Sequence, residues 1–74
     1  METFVDLYFS TDGKKASEIF EILVDMGFKP SLGDHDFIYD WKGIVSIEEE
    51  IKFIDEIQNR LRGSGAHLKF NTNR

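Results

Sequence analysis

Seventy-four residues, no cysteine, 41% apolar content and a formal charge of −5 describe one small acidic domain spanning 1–74. Without cysteine there is no disulfide, thiolate metal site or cysteine nucleophile, and the negative charge makes nucleic acid a poor partner. No apolar run approaches the roughly 20 residues that cross a bilayer, and the start Met1-Glu2-Thr3-Phe4-Val5-Asp6 lacks a secretory pattern, so a cytoplasmic protein with no membrane partner is expected.

So short a chain buries only about 60% of its unfolded surface. Its core leans on seven Phe, and homo-oligomerisation would supplement it.

Residues 3–10 read as a first strand, with Val5, Leu7 and Phe9 on one face and Phe4, Asp6 and Tyr8 on the other. Residues 15–26 read as a helix with Ala16, Ile19, Phe20 and Leu23 in its apolar stripe, capped by Thr11 or Asp12. Gly27 is placed to end it in the left-handed conformation, with Phe28 making the accompanying apolar contact. Residues 28–32 form a second strand, at an edge because Pro30 has no N–H. Gly33-Asp34 suits a two-residue hairpin turn. Residues 36–41 then alternate Phe37, Tyr39 and Trp41 as a central strand.

The second helix opens at Ser46, which forms a capping box with Glu49. Its buried stripe is expected to be Ile47, Ile51, Ile54, Ile57 and Leu61, with Phe53 alongside. Glu48 with Lys52 and Glu56 with Arg60 are spaced as ion pairs along the helix. Gly63-Ser64-Gly65 breaks it. Residues 66–72 form the last strand, and the last two or three residues are expected to fray.

The order β-α-β-β-α-β predicts an α+β, ferredoxin-like two-layer sandwich: an antiparallel four-stranded sheet of order 4-1-3-2 with two helices on one face. A rival reading makes residues 28–35 a loop and leaves three strands. The helix-facing set is Val5, Leu7, Phe9, Phe37, Tyr39, Trp41, Leu68 and Phe70. The open face shows Phe4, Asp6, Tyr8, Asp36, Ile38, Asp40, His67 and Lys69, unless the strand phase slips by one.

Three stretches bear on chemistry. Gly13, Lys14 and Lys15 precede a helix and could hold an anion, as in small acylphosphatases of this plan. The loop has no Arg, however, and the plainer reading is a solvated helix start. Asp34, Asp36 and Asp40 are candidate ligands for a divalent cation, but their spacing matches no calcium loop. Phe4, Tyr8, Ile38, His67 and Lys69 on an open sheet suggest a partner-binding face; a base-stacking RNA surface is disfavoured by two Asp where basic residues belong. No catalytic triad, dinucleotide fingerprint or cofactor motif is legible.

The segments Val5-Asp6-Leu7-Tyr8-Phe9-Ser10-Thr11 and Gly33-Asp34-His35-Asp36-Phe37-Ile38-Tyr39-Asp40-Trp41 resemble small archaeal proteins of this length. The resemblance implies no activity and carries over no functional residue. Together these readings point to a non-enzymatic interaction or regulatory module associating through its open sheet face or a strand edge, with a phosphate-handling enzyme and a divalent-cation binder as alternatives.

Overall fold

Strand alternation and two helical stripes produce six elements in the computed structural model, which describes residues 1–73. They are β1 (Glu2–Tyr8), α1 (Ala16–Asp25), β2 (Lys29–Pro30), β3 (Phe37–Asp40), α2 (Ile47–Leu61) and β4 (His67–Asn73). The sheet is antiparallel throughout, in the order β2-β3-β1-β4. That is the expected 4-1-3-2 order read from the other edge, and the fold is the expected α+β sandwich.

Val5 and Phe37 from the sheet, Ile19 and Leu23 from α1, Ile57 and Leu61 from α2, and Phe28 make one buried cluster. Both helices therefore cover the same face. Leu7, Tyr39, Leu68 and Phe70 pack against the cluster as expected.

Phe9 does not join them. β1 ends at Tyr8, which already pairs with the first residue of β4, so Phe9 has no strand to lie against and is about half exposed. The last strand runs one residue further than expected, to Asn73, which pairs with Glu2; the expected fraying falls partly on Arg74, which lies outside the described residues.

The first helix begins without a side-chain cap. Lys15 occupies the N-cap position, and neither Thr11 nor Asp12 reaches it. Ala16 is exposed; Phe20 is partly exposed but its ring still meets buried Phe37 at 5.7 Å, and Ile22 and Met26 join the packing against the core. Its end follows expectation. Gly27 has φ +102°, its N–H donates to Val24 O at 3.0 Å, and Phe28 N–H donates to Leu23 O at 3.0 Å. These are the paired bonds of a Schellman motif, and the buried side chains of Leu23 and Phe28 supply its apolar contact.

The second strand is shorter than expected, two residues rather than five. It turns into β3 through residues 31–36, closed by Ser31 N–H donating to Asp36 O at 2.9 Å. No two-residue turn forms at Gly33-Asp34, and Gly33 is not among the glycines of positive φ. The Ser31 hydroxyl instead accepts from Gly33 N–H, which holds the wider loop.

In α2, Ser46 Oγ accepts from Glu49 N–H at 3.2 Å, as the capping pattern requires. The buried stripe is rotated from the expected one. Ile47 and Ile51 are half exposed, whereas Glu50 is 8% exposed. Phe53 sets this rotation by meeting Phe28, Tyr39 and Trp41 at ring separations of 5.7, 4.5 and 5.2 Å. Such pairs are worth about 0.5–1.5 kcal/mol each beyond their area, a sum comparable to the fuller burial that Ile47 and Ile51 forgo. Arg60 reaches across to Asp25 of α1 at 2.9 Å instead of pairing with Glu56, and Glu48 and Lys52 form no ion pair among the described residues.

Candidate interaction surface

The open face is built from alternate residues of β1, β3 and β4. Phe4 lies between Ile38 and Asn71, Asp6 is opposite Lys69, and Tyr8 is opposite His67. His35, from the loop before β3, folds over this face. Its ring stacks on Phe4 at 4.8 Å, and its Nδ1 lies 2.9 Å from Asp6 Oδ1. Of the five expected partner-binding residues, all lie on this face. Phe4 is covered by His35, Ile38 is half-buried, and Tyr8, His67 and Lys69 are exposed.

The candidate metal ligands are not brought together. Asp36 Oδ2 accepts from Leu7 N–H at 2.8 Å, Asp40 Oδ1 accepts from Lys42 N–H at 2.8 Å, and Asp34 is exposed in the loop. Among the described residues no group of three His, Asp or Glu could hold a metal ion. Two carboxylates here serve the backbone: one extends the β1–β3 ladder, and the other steadies Lys42 at φ 58°.

The candidate anion loop is docked against another loop. Lys14 N–H donates to Ser64 O at 2.8 Å, and Gly13 N–H donates to Ser10 O at 3.3 Å. A Cβ on Gly13 would lie 2.1 Å from Ser64 O, and one on Gly65 would lie 3.0 Å from Gly13 Cα. Gly13 is therefore required by close backbone approach and its φ is not positive. These two N–H groups are committed within the chain and do not face outward as an anion cradle would need.

The two edges of the sheet differ in kind. In β1, Met1 O accepts from Trp41 N–H and Leu7 N–H reaches Asp36, so odd-numbered residues point their backbone groups at β3. Even-numbered residues of β1 then serve β4, through pairs ending on His67, Lys69, Asn71 and Asn73. It follows that Leu68, Phe70 and Thr72 turn their N–H and C=O groups outward, to an edge that no described strand occupies. The opposite edge is two residues long, and the same alternation puts the missing donor of Pro30 on its outer side. One edge is closed to pairing, and the other offers seven residues without proline.

Beside the open edge runs a groove of about 330 Å³ between α2 and β4. Ile57, Leu61, Leu68 and Phe70 line it, and Gln58, Arg62 and His67 are among its polar walls. Leu68 and Phe70 are only half-buried because α2 stops short of covering the outermost strand. The last acidic residue in the sequence is Glu56, and Arg60, Arg62, Lys69 and Arg74 follow it; of these Arg62 lines the groove, while Arg60 pairs with Asp25. Arg62 donates to Asn59 Oδ1, and Lys69 has no ion pair among the described residues. Sequence reasoning set out the open face and named a strand edge without saying which one. The acid-free run after Glu56 was the available signal.

Fold and surface together define an α+β sheet domain with one unguarded edge. Compared with protein-family models, curated proteins and solved structures, the chain matches none. No helix among the described residues is long and apolar enough to cross a membrane.

Proposed function

We propose that this chain is a small non-enzymatic interaction module that binds a protein segment by strand addition at β4. The observation that carries this reading is the row of outward N–H and C=O groups on Leu68, Phe70 and Thr72 beside an apolar groove. An added strand gains affinity from such main-chain bonds and specificity from its alternate side chains. It would also complete the covering of Leu68 and Phe70, each worth about 1.5–3 kcal/mol when fully buried.

The competing readings have less to stand on. A phosphate-handling site would need free donors at residues 13–15, where two N–H groups are already bonded. A cation site would need carboxylates brought together, and Asp36 and Asp40 are each engaged with a backbone amide. A nucleic-acid surface needs several phosphate-facing cations, whereas the unpaired ones near β4 are few.

An NMR titration against pooled ions, metabolites, short oligonucleotides and extended peptides tests the reading. Shifts confined to residues 68, 70 and 72 and the groove, on adding peptides, are expected. Shifts at residues 11–16 with phosphate, or at residues 34–40 with a divalent ion, would replace it with one of the alternatives.

A further inference from the structure

We infer that the segment added at β4 is an extended acidic peptide, running antiparallel and carrying an apolar–acidic–apolar alternation. This rests on the strand-addition reading and names its ligand. β4 already accepts such a sequence on its inner side. There β1 sets Val5 opposite Phe70, Asp6 opposite Lys69 and Leu7 opposite Leu68. Side chains on a central strand meet neighbours from both flanks, so a strand on the outer side faces the same row.

The acid supplied from the inner side is not used by Lys69. Asp6 Oδ1 bonds to His35 Nδ1 at 2.9 Å, and Lys69 is left without an ion pair among the described residues. In a chain of net charge −5 this cation stands beside the strand edge that, among the described residues, is open to pairing. A carboxylate from an added strand would lie directly across from it. The apolar residues on either side would close the groove over Ile57 and Leu61, and a second acid would fall beside His67, at the end that Arg62 rims. A second copy of this chain fits less well. With no acid after Glu56, β4 laid antiparallel on a second β4 in full overlap sets Lys69 opposite Asn71 and offers it no carboxylate.

The test uses three capped peptides, Thr-Val-Glu-Val-Glu-Thr and its Gln and Lys counterparts, titrated into the 15N-labelled chain. The Glu peptide is expected to move the amides of Leu68, Phe70 and Thr72, to bind about three- to tenfold tighter than the Gln peptide, and to weaken with salt. Lys69→Glu should reverse the order in favour of the Lys peptide. Lys69→Gln, which places no new charge opposite Asp6, should abolish the preference. Equal binding of Glu and Gln peptides, or an unchanged order in Lys69→Glu, would overturn the inference and leave strand addition standing. Failure of every peptide to move those amides would overturn both. A dimer in sedimentation, with the three amides protected before peptide is added, would make a second copy the occupant and overturn the acidic-peptide assignment alone.

Discussion

Lys69 stands directly across the β1–β4 ladder from Asp6, yet the Asp6 carboxylate bonds to His35 on the other side of its own strand, 2.9 Å from Nδ1. The His35 ring is held by its stack on Phe4 at 4.8 Å. His35 thus withdraws from Lys69 the one carboxylate that the fold places opposite it. Replacing His35 with Ala should cost about 1 kcal/mol in urea denaturation, since both interactions are partly solvated. It should also release Asp6 toward Lys69 and narrow the preference for Glu over Gln peptides. A preference unchanged in that variant would show that Asp6 and Lys69 are not coupled through His35.

Buried Thr3 links β1 to two neighbours at once. Its Oγ1 accepts from Trp41 Nε1–H at 2.8 Å and lies 2.9 Å from Thr72 Oγ1, to which its own hydroxyl can then donate. Thr3→Val keeps the shape and leaves the part-buried indole donor without its acceptor. A loss of about 1–3 kcal/mol is expected from equilibrium unfolding, with tryptophan fluorescence reporting the change around Trp41.

Glycine substitutions separate close approach from loop tolerance. Gly13→Ala must push its Cβ against Ser64 O and should destabilise by about 1–3 kcal/mol, although its φ is ordinary. Gly33→Ala meets nothing nearer than Ser31 Oγ at 3.8 Å and should change the melting temperature little. Similar losses in both variants would contradict the docking of residues 10–15 against residues 63–65.

The rotation of α2 gives a prediction opposite to its sequence pattern. Phe53→Ala removes the ring that joins Phe28, Tyr39 and Trp41 and should cost about 3 kcal/mol in chemical denaturation, a large share of the stability of so small a domain. Ile51→Ala, on the half-exposed flank, should cost under about 1 kcal/mol.

Much of this architecture was legible because independent signals agreed. Proline at position 30 and the apolar alternation at Phe37, Tyr39 and Trp41 both placed the edge and centre of the sheet, and Gly27-Phe28 marked a helix end with its own chemistry. The misjudged details share a cause: each was decided by a tertiary contact. The apolar arc of α2 is wider than the face it buries, so periodicity alone could not choose between Ile51 and Phe53. Gly33-Asp34 satisfied the composition of a tight turn, but β2 ends too early for one. The contact of Gly13 with Ser64 was not foreseen beside either reading of that loop, as a solvated helix start or as an anion site, because it joins segments about 50 residues apart, beyond any local pattern. The open face was legible from alternation. A strand edge was also offered, but not which one, because outward-pointing backbone groups follow from ladder phase and strand order together.

Residue-resolved amide hydrogen exchange along β4 tests the central claim most directly. In the dilute free chain the amides of Lys69 and Asn71 should be protected by β1 while those of Leu68, Phe70 and Thr72 exchange freely. Adding the Glu peptide should slow that second set alone. Protection of Leu68, Phe70 and Thr72 in the dilute chain, or exchange there that the peptide leaves unchanged, would contradict the account.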